Sequence, residues 1–535
     1  QLRLHPGADQ SMTLPTSNLA SMLVHAAQHF GDRPGLIQGD RVWTWTEIND
    51  RVTRAASALA ARGVKQGDRV LVHSRNCNAM FETQWACWRL GAVWVPTNFR
   101  LTPPEVAYLA SSSRATTHIF DTGFPDHAAA AKEANAACEN VFWIGPDAPG
   151  EDWEALVADA SAPHVELADV DRDDVCWFFY TSGTTGRPKA GMLTHGQMAF
   201  VTVNHLCDLM PDTTENDVSL VVAPLSHGSG IHAVTQVAKG AASVLLSSER
   251  LDCEEAWRLV EKHKVTNMFT VPTILTMLTQ HEAVDRYDHA SLRYVIYAGA
   301  PMYRADQQHA LRKIGKVLVQ YFGLGEVTGN ITVLPPRLHT IEDDASYPIG
   351  SCGLPRTGMD IAILSDDGKR LSAHETGEIC VRGPAVFLGY FENDEANAKS
   401  FKDGWFHTGD LGHLDDRGFL YITGRASDMF ISGGSNVYPR EIEEAILTHP
   451  AISEACVVGM PHDKWGECGV AILVAREGQS ADAQAVLAHL DGKLSRYKIP
   501  TDILFWDALP KSGYGKVAKA EVKKLLQAQA ASEAA

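Results

Sequence analysis

The sequence lacks the features that mark a secreted, membrane-spanning or nucleic-acid-binding protein. Its ten cysteines are scattered, with no C-x-x-C pair and no metal-ligand spacing, which favours reduced, buried thiols. We find no apolar run long enough to span a bilayer and no signal peptide, so we expect a cytoplasmic location. Positive charge is also scarce. The net charge of −18 disfavours nucleic acid as a partner, because binding a polyanion requires a basic face.

The length and the hydrophobic pattern predict at least two domains. A chain of 535 residues is too long for one compact core. Up to about Gly350, short apolar strands alternate with helices, which predicts an α/β fold of layered, largely parallel sheets. Residues Ala128–Ala160 are weakly patterned and are predicted to form a peripheral excursion. Shorter strands with turn residues then predict a β subdomain. We place the large N-terminal domain at residues 1–427 and a small C-terminal α+β domain at residues 428–535.

One loop rich in glycine and hydroxyl groups lies between two apolar segments that are predicted to be strands. It reads Thr-Ser-Gly-Thr-Thr-Gly-Arg-Pro-Lys over Thr181–Lys189. Glycines let backbone N–H groups face an oxyanion, hydroxyls add donors, and Lys189 adds a full charge. A flexible surface linker is the alternative, but a linker requires neither the adjoining strand nor a lysine at a fixed distance. The pattern is not the Walker motif, because Arg187 and Pro188 separate Gly186 from Lys189.

The segment Thr181–Lys189 resembles the signature of the adenylate-forming (AMP-binding) superfamily, which includes acyl-CoA synthetases. Further motifs extend the resemblance, in the family's order, from about Leu19 to Lys524. The resemblance implies an AMP-forming acid–thiol ligase. Such an enzyme converts a carboxylic acid to an acyl-adenylate with ATP and then transfers the acyl group to CoA. The implied cofactors are ATP, Mg²⁺ and CoA.

The resemblance also implies which residues bind the nucleotide. Glu326 corresponds to the metal ligand, Asp410 to the ribose-binding aspartate, and Arg425 to a nucleotide-contacting arginine. Gly325 departs from the family pattern, which has threonine there, and so removes one hydroxyl expected near the phosphates. The predicted nucleotide-binding set is Thr181, Ser182, Gly183, Thr184, Thr185, Gly186, Lys189, Gly299, Ala300, Pro301, Phe322, Gly323, Asp410, Ile422 and Arg425.

The C-terminal domain is predicted to carry a mobile catalytic lysine. Lys516 matches the lysine that ends the family's C-terminal motif and would bridge the carboxylate and the α-phosphate. The predicted catalytic residues are Lys516, Thr185 and Glu326. The family's domain rotation implies a hinge at Ser427, where the family usually has aspartate or lysine. The residues predicted to contact CoA are Ser432, Gly433 and Gly434.

The acyl-binding pocket is predicted around the loops that follow the central strands. His227 matches a position that gates the carboxylate side in the family, whereas His232 is equally compatible with a core histidine. The lining has no arginine or lysine, which disfavours a dicarboxylate and favours an aromatic or medium-chain acid. The predicted lining residues are His227, Ile231, His232, Tyr297, Gly299 and Leu324.

Two rival functions remain at this point. The first is adenylation followed by transfer to a carrier-protein thiol, although no carrier domain follows Lys516 in this sequence. The second is nucleotide binding without catalysis, which the departures at Gly325 and Ser427 make conceivable. A homodimer is the candidate assembly, and the pattern does not determine the oligomeric state.

Overall fold

The computed structural model describes residues 15–181, 187–300, 302–432, 435–462, 465–511 and 517–533. The strands are β1 (Pro15–Thr16), β2 (Pro34–Gln38), β3 (Arg41–Thr44), β4 (Arg69–His73), β5 (Val93–Thr97), β6 (Thr117–Asp121), β7 (Asn140–Ile144), β8 (Val170–Asp171), β9 (Val175–Thr181), β10 (Lys189–Thr194), β11 (Val218–Val221), β12 (Ala242–Leu245), β13 (Asn267–Thr270), β14 (Tyr294–Tyr297), β15 (Leu318–Phe322), β16 (Thr332–Leu334), β17 (Leu354–Pro355), β18 (Asp360–Leu364), β19 (Gly377–Arg382), β20 (Phe401–Lys402), β21 (Trp405–Leu414), β22 (Leu420–Arg425), β23 (Phe430–Ser432), β24 (Ser435–Val437), β25 (Ile452–His462), β26 (Gly466–Ala475) and β27 (Asp502–Phe505). The helices are α1 (Ser21–Phe30), α2 (Trp45–Ala61), α3 (Asn78–Arg89), α4 (Pro103–Ser113), α5 (Pro125–Ala134), α6 (Trp153–Ala158), α7 (His195–Asp208), α8 (Gly228–Lys239), α9 (Cys253–His263), α10 (Pro272–Gln280), α11 (Arg304–Ile314), α12 (Asp394–Ser400), α13 (Pro439–Leu447), α14 (Ala483–Leu490) and α15 (Lys519–Glu533).

Two large sheets form the N-terminal domain, and both are mainly parallel, as the alternation of strands and helices predicts. The first has the order β10-β9-β5-β4-β6-β7, with only β10 antiparallel to its neighbour. The second has the order β17-β16-β15-β14-β13-β11-β12-β2-β3 and is parallel from β15 to β2. Ligands bind outside the carboxyl ends of such strands, and both Thr181 and the turn that contains Glu326 follow strand ends.

A tryptophan-rich core holds the two large sheets together. Trp177 of β9 is fully buried between Trp88 and Trp94, with ring centroids 6.4 Å and 4.7 Å away, and the ring of Trp94 meets it edge to face. The same core includes Leu36 and Val221 from the second sheet. Buried aromatic pairs add specific geometry to their large apolar area, so the strand that leads into the glycine-rich loop has a fixed position.

The segment Ala128–Ala160 is not the peripheral excursion that its composition predicts. It contains β7, which pairs in parallel with β6 at the edge of the first sheet. Phe142 and Trp153 are almost fully buried within its alanine-rich surroundings. The expectation was wrong because a strand of five residues needs only a few apolar side chains. The alanine-rich, charged sequence on either side hides this short apolar pattern.

The remaining chain forms an antiparallel β subdomain and a small C-terminal domain, as expected. Strands β18, β19, β21, β20 and β22 make the third sheet. The fourth sheet, in the small domain, has the order β24-β23-β26-β25, with β27 parallel to β26. Helix α13 packs Ile442 and Ile446 into the core of the small domain. In the described part of the chain, no helix combines the length and apolar character needed to cross a bilayer.

Candidate functional site

The two ends of the glycine-rich loop are held together by strand pairing. β9 ends at Thr181 and β10 begins at Lys189, and these two residues are register partners in an antiparallel ladder. This confirms the prediction that the loop joins two strands. Threonine favours the N-cap position, so Thr194 predicts a helix from about His195 to Asp208. Helix α7 confirms this, and a capping box links Thr194 and Gln197 at its start. The middle of the loop, Ser182, Gly183, Thr184, Thr185 and Gly186, lies outside the described residues.

Glu326 contacts groups from both sides of this loop. It lies in the 3₁₀ turn Gly325–Val327 that follows β15, and only 5% of its surface is exposed. The Thr181 hydroxyl donates to Glu326 Oε1 at 2.8 Å, and the Tyr390 hydroxyl donates to the same oxygen at 2.9 Å. The backbone N–H of Phe387 donates to the Glu326 carbonyl at 2.8 Å. A buried carboxylate is therefore fixed beside the entrance to the loop.

Tyr390 connects this carboxylate to Lys189. The lysine Nζ lies 4.3 Å from the centroid of the Tyr390 ring, within the range of a cation–π contact. Burial lowers the pKa of Lys189, and the negative charge of Glu326 opposes that shift. Burial and Glu326 both raise the pKa of the Tyr390 hydroxyl, whereas the positive charge of Arg425 lowers it. Tyr390 thus contacts Lys189 directly, and its hydroxyl is also influenced by the charge of Arg425.

Sequence reasoning missed Tyr390 as a site residue. It is 64 residues from Glu326 in the chain, and nothing in its local pattern separates it from other buried aromatics. Its position is set by backbone pairing with β10, in which Met192 N–H donates to the Gly389 carbonyl and Phe391 N–H donates to the Ala190 carbonyl. Only the fold brings this segment to the loop.

The departure at Gly325 has a steric explanation. A Cβ at this position would lie 2.5 Å from Cδ1 of Phe179 and 2.8 Å from Cγ2 of Thr181. Both distances are too short for real Cβ contacts, and Phe179 is itself only 7% exposed. The backbone at Gly325 is not in the left-handed region. Glycine is therefore required here because there is no space for a Cβ, and not because of an unusual backbone conformation.

Asp410 and Arg425 are paired across neighbouring strands of the third sheet. They are register partners in β21 and β22, with Nε of Arg425 3.1 Å from Oδ1 of Asp410. The Asp410 side chain is nearly buried, whereas the Arg425 side chain is 41% exposed. Ile422 lies on the same strand as Arg425 and is half-buried. The structure thus brings together two residues that the sequence separates by fifteen positions.

The segments predicted to lie along adenine have little side-chain bulk. Gly299 has a φ of +83° and is exposed, and Ala300 is half-buried, whereas Pro301 lies outside the described residues. Phe322 ends β15 and is half-buried. A Cβ on Gly323 would lie 2.4 Å from the backbone of Gly329, so two chain segments cross there without room for a side chain.

Two of the residues predicted to line the acyl pocket, His232 and Tyr297, make internal hydrogen bonds. The His227 ring packs 4.8 Å from Phe179 at the start of α8, Ile231 is buried one turn later, and Leu324 is half-buried. His232 is buried, with Nε2 2.8 Å from Oδ1 of Asn267. The Tyr297 hydroxyl is hydrogen-bonded by Gln307, Gln320 and His339 at 2.8–3.0 Å.

The residues predicted for the mobile step are only partly described. Ser427 is exposed, and its hydroxyl donates to Oδ1 of Asp428 at 3.3 Å. Ser432 ends β23 and is buried, whereas Gly433 and Gly434 lie outside the described residues. Lys516 also lies outside them. The described residues on either side, Lys511 and Val517, form an antiparallel bridge.

Comparisons with known proteins match this chain almost from end to end. A family model described as AMP-binding enzyme matches residues 23–391, and one described as AMP-binding enzyme C-terminal domain matches residues 441–516. A feruloyl-CoA synthase from Amycolatopsis is 36% identical over 95% of this chain and 98% of the relative. An indoleacetate–CoA ligase from Aromatoleum aromaticum is 34% identical over 93% and 97%.

A solved structure is similar along the same length. The o-succinylbenzoate coenzyme A synthetase from Bacillus subtilis, in complex with ATP and a magnesium ion, has a TM-score of 0.83 to this chain. It is 30% identical and covers 95% of this chain and 100% of its own. The same synthetase has been solved with its acyl-adenylate intermediate.

Proposed function

Because the chain belongs to the AMP-binding enzyme family, we propose that it is an AMP-forming acid–CoA ligase. It uses ATP to convert a carboxylic acid to an acyl-adenylate and then transfers the acyl group to CoA, releasing AMP and pyrophosphate. The observation that supports this most strongly is the chain of contacts around the glycine-rich loop. Glu326 accepts from Thr181 at the start of the loop and from Tyr390, and the ring of Tyr390 contacts Lys189 at the end of the loop.

The charge distribution suits the first half-reaction. A carboxylate must approach the α-phosphorus of ATP, and both are anions, so fixed cations lower the electrostatic barrier. Lys189 at one end of the loop and Arg425 on the third sheet supply two such charges. Thr185, with the other hydroxyls and N–H groups of the loop, is proposed to bind the phosphates. Asp410 is proposed to accept hydrogen bonds from the ribose hydroxyls.

Glu326 fits the role of a magnesium ligand. Both hydrogen bonds that it receives from described side chains reach Oε1, so Oε2 is available to a cation. Magnesium prefers oxygen ligands and is commonly held by one or two carboxylates together with substrate phosphates. When bound, the ion would supply positive charge to the departing pyrophosphate. Thr181 and Tyr390 orient the carboxylate whether or not the ion is present.

The acyl pocket is proposed to accept an aromatic or medium-chain acid. The rings of Phe179 and His227 lie 4.8 Å apart and are tilted by 48°, and Phe269 lies against Gly228, where a Cβ would be 2.4 Å from the ring. These aromatic rings favour an aromatic acid as the substrate. The similarity to a feruloyl-CoA synthase and an indoleacetate–CoA ligase favours the same class of acid. The internal hydrogen bonds of His232 and Tyr297 suggest that these residues support the pocket from behind.

The second half-reaction is proposed to require rotation of the small domain. We place the boundary between residues 427 and 428, with Ser427 as the hinge, because the third sheet ends at Arg425 and the fourth begins at Phe430. Lys516 would act in adenylation, whereas Ser432, Gly433 and Gly434 would line the path of the CoA thiol. Light scattering of the purified chain tests the separate prediction of a homodimer.

The decisive experiment measures the two half-reactions separately. Exchange of labelled pyrophosphate into ATP across a panel of organic acids reports adenylation, and thioester formation with CoA reports transfer. Lys516→Ala is expected to abolish exchange while sparing thioester formation from supplied acyl-adenylate. Equal loss of both would contradict the assigned role. Exchange with any acid but transfer only to a carrier-protein thiol would identify the rival acceptor, and no exchange with any acid would refute the proposed function.

A further inference from the structure

A thiol, an imidazole and a carboxylate meet on the third sheet, beside the segment that carries Asp410. Cys380 and His407 are cross-strand partners in β19 and β21, with Sγ 3.4 Å from Nδ1. Glu378 Oε2 lies 2.7 Å from the same nitrogen. The three potential ligand atoms lie within 4.8 Å of one another. Within the described residues, this is the one such group of cysteine, histidine and acidic side chains.

Hydrogen bonding satisfies the two close contacts of His407 Nδ1 unequally. In a neutral imidazole, this nitrogen either carries a proton or offers a lone pair. If it carries the proton, it donates to Glu378 at 2.7 Å, and the sulfur of Cys380 at 3.4 Å is only a weak second acceptor. If it offers the lone pair, it accepts from the Cys380 thiol and gives Glu378 no donor. A cation bound by all three side chains uses a lone pair of each of them at once.

We propose that Glu378, Cys380 and His407 form a Zn²⁺ site. Zinc bonds of about 2.0–2.3 Å place tetrahedral ligands about 3.3–3.6 Å apart. Sγ and Nδ1 are already at that separation, and the Glu378 oxygen would have to move away from Nδ1, from 2.7 Å to about 3.3 Å. The side chains of Glu378 and His407 are 31% and 16% exposed, so solvent can supply a water as fourth ligand. A thiolate with an imidazole selects zinc over magnesium or calcium.

Binding must displace the thiol proton. Zinc coordination therefore forms the Zn–S bond and releases one proton to solvent. Zinc affinity is accordingly expected to increase as the pH rises.

The site has a direct connection to the predicted ribose-binding residue. Glu378 Oε1 accepts a hydrogen bond from Gly409 N–H at 3.0 Å. Between the pairs Glu378–Leu411 and Cys380–His407, β21 contains three residues opposite the single Ile379 of β19, and the last of these three is Asp410. Drawing Glu378 toward zinc lengthens its bond to this bulge and shifts Asp410. We therefore infer that zinc weakens nucleotide binding. This inference rests on the proposed role of Asp410 in binding the nucleotide.

Cobalt provides a readout of the metal site that does not depend on activity. Titration of the purified full chain with Co²⁺ is expected to give thiolate-to-cobalt charge-transfer absorption at one ion per chain, which zinc then abolishes. Cys380→Ala and, separately, His407→Gln should lose this absorption, with circular dichroism verifying that each variant is folded. Cys207→Ala removes an exposed thiol and should leave the absorption unchanged. No band in the wild type, or an undiminished band in folded Cys380→Ala, would overturn the site.

Calorimetry of AMP binding without magnesium tests the connection to the nucleotide. Saturating zinc should weaken AMP binding at least about fivefold in the wild type, the lower end of usual coupling between two sites. It should have no effect in Cys380→Ala. Equal AMP affinity with and without zinc would refute the coupling. Failure of AMP to bind at all would instead count against the proposed function, since the cobalt spectrum requires no nucleotide.

Discussion

Replacing Gly325 with alanine tests whether this site is built around a missing side chain. The added Cβ would lie 2.5–2.6 Å from two ring carbons of Phe179 and 2.8 Å from the Thr181 methyl group. Such overpacking in a buried site costs about 1–3 kcal/mol. Because Gly325 immediately precedes Glu326, we also expect the rate of pyrophosphate exchange to fall, whatever the effect on stability.

A double-mutant cycle with Phe179→Val isolates this contact. Valine suits a strand and lacks the ring carbons that Gly325→Ala would meet. The single change Phe179→Val leaves a cavity and is itself destabilising. If the steric explanation holds, the double variant is more stable than the sum of the two single changes by about 0.5–3 kcal/mol. The recovery should be incomplete, because the Thr181 methyl group remains.

Urea unfolding of the four proteins provides the stabilities, and pyrophosphate exchange provides the activities. Adding Thr181→Ser removes the remaining methyl group and retains the hydroxyl that donates to Glu326, so it should extend the recovery. Additive costs in the cycle, or a Gly325→Ala variant as stable and active as the wild type, would refute the reasoning.

Three further predictions concern a hydrogen bond, a backbone conformation and two buried histidines. Tyr390→Phe keeps the ring over Lys189 but removes the donor to Glu326. It should lower kcat/KM for pyrophosphate exchange about 10- to 100-fold, since a hydrogen bond to a charged group contributes about 1.5–3 kcal/mol; a decrease below about threefold would contradict this role. Gly299→Ala forces an L residue into a left-handed φ and should lower the free energy of unfolding in urea by about 1–2 kcal/mol. At Gly325 the φ is not left-handed, so the effect of Gly325→Ala comes only from the steric clash of the added Cβ. Burial lowers the pKa of His232 and His339 to about 4, so the unfolded chain binds more protons below pH 6.5, and stability should fall as the pH decreases toward 4. In His339→Gln, the slope of stability against pH should decrease by up to about 1.4 kcal/mol per pH unit, and an unchanged slope would contradict the assignment.

Local patterns were sufficient for the features that local physics determines. The apolar run Val175–Tyr180 predicts a buried strand, Thr194 predicts the N-cap of α7, and both are present. Hydrophobic periodicity and helix capping depend only on residues that are close in the sequence, within one strand or one helical turn. The pattern failed at β7, where five residues between alanine-rich helices form a sheet edge.

The missing parts of the site depend on register between distant segments. Tyr390 reaches Glu326, 64 positions earlier in the chain, because the segment that contains Gly389 pairs with β10, and no local pattern encodes that pairing. The grouping of Cys380 with His407 likewise requires the antiparallel register of β19 and β21. Cysteine spacing along the chain gives no sign of this group.

Residue type identifies possible chemistry, but packing determines which atom is available for it. His232 and Tyr297 carry groups that could contact an acid, yet their polar atoms already bond to Asn267 and to Gln307, Gln320 and His339. Leaving those partners unpaired in a buried site would cost about 1–3 kcal/mol each, so a substrate contact would have to exceed that cost. Phe179 has no such competing bond and touches both His227 and the space at Gly325. Phe179, an apolar ring inside a strand, therefore connects the proposed acyl pocket to the proposed phosphate site, although its residue type suggests no chemistry.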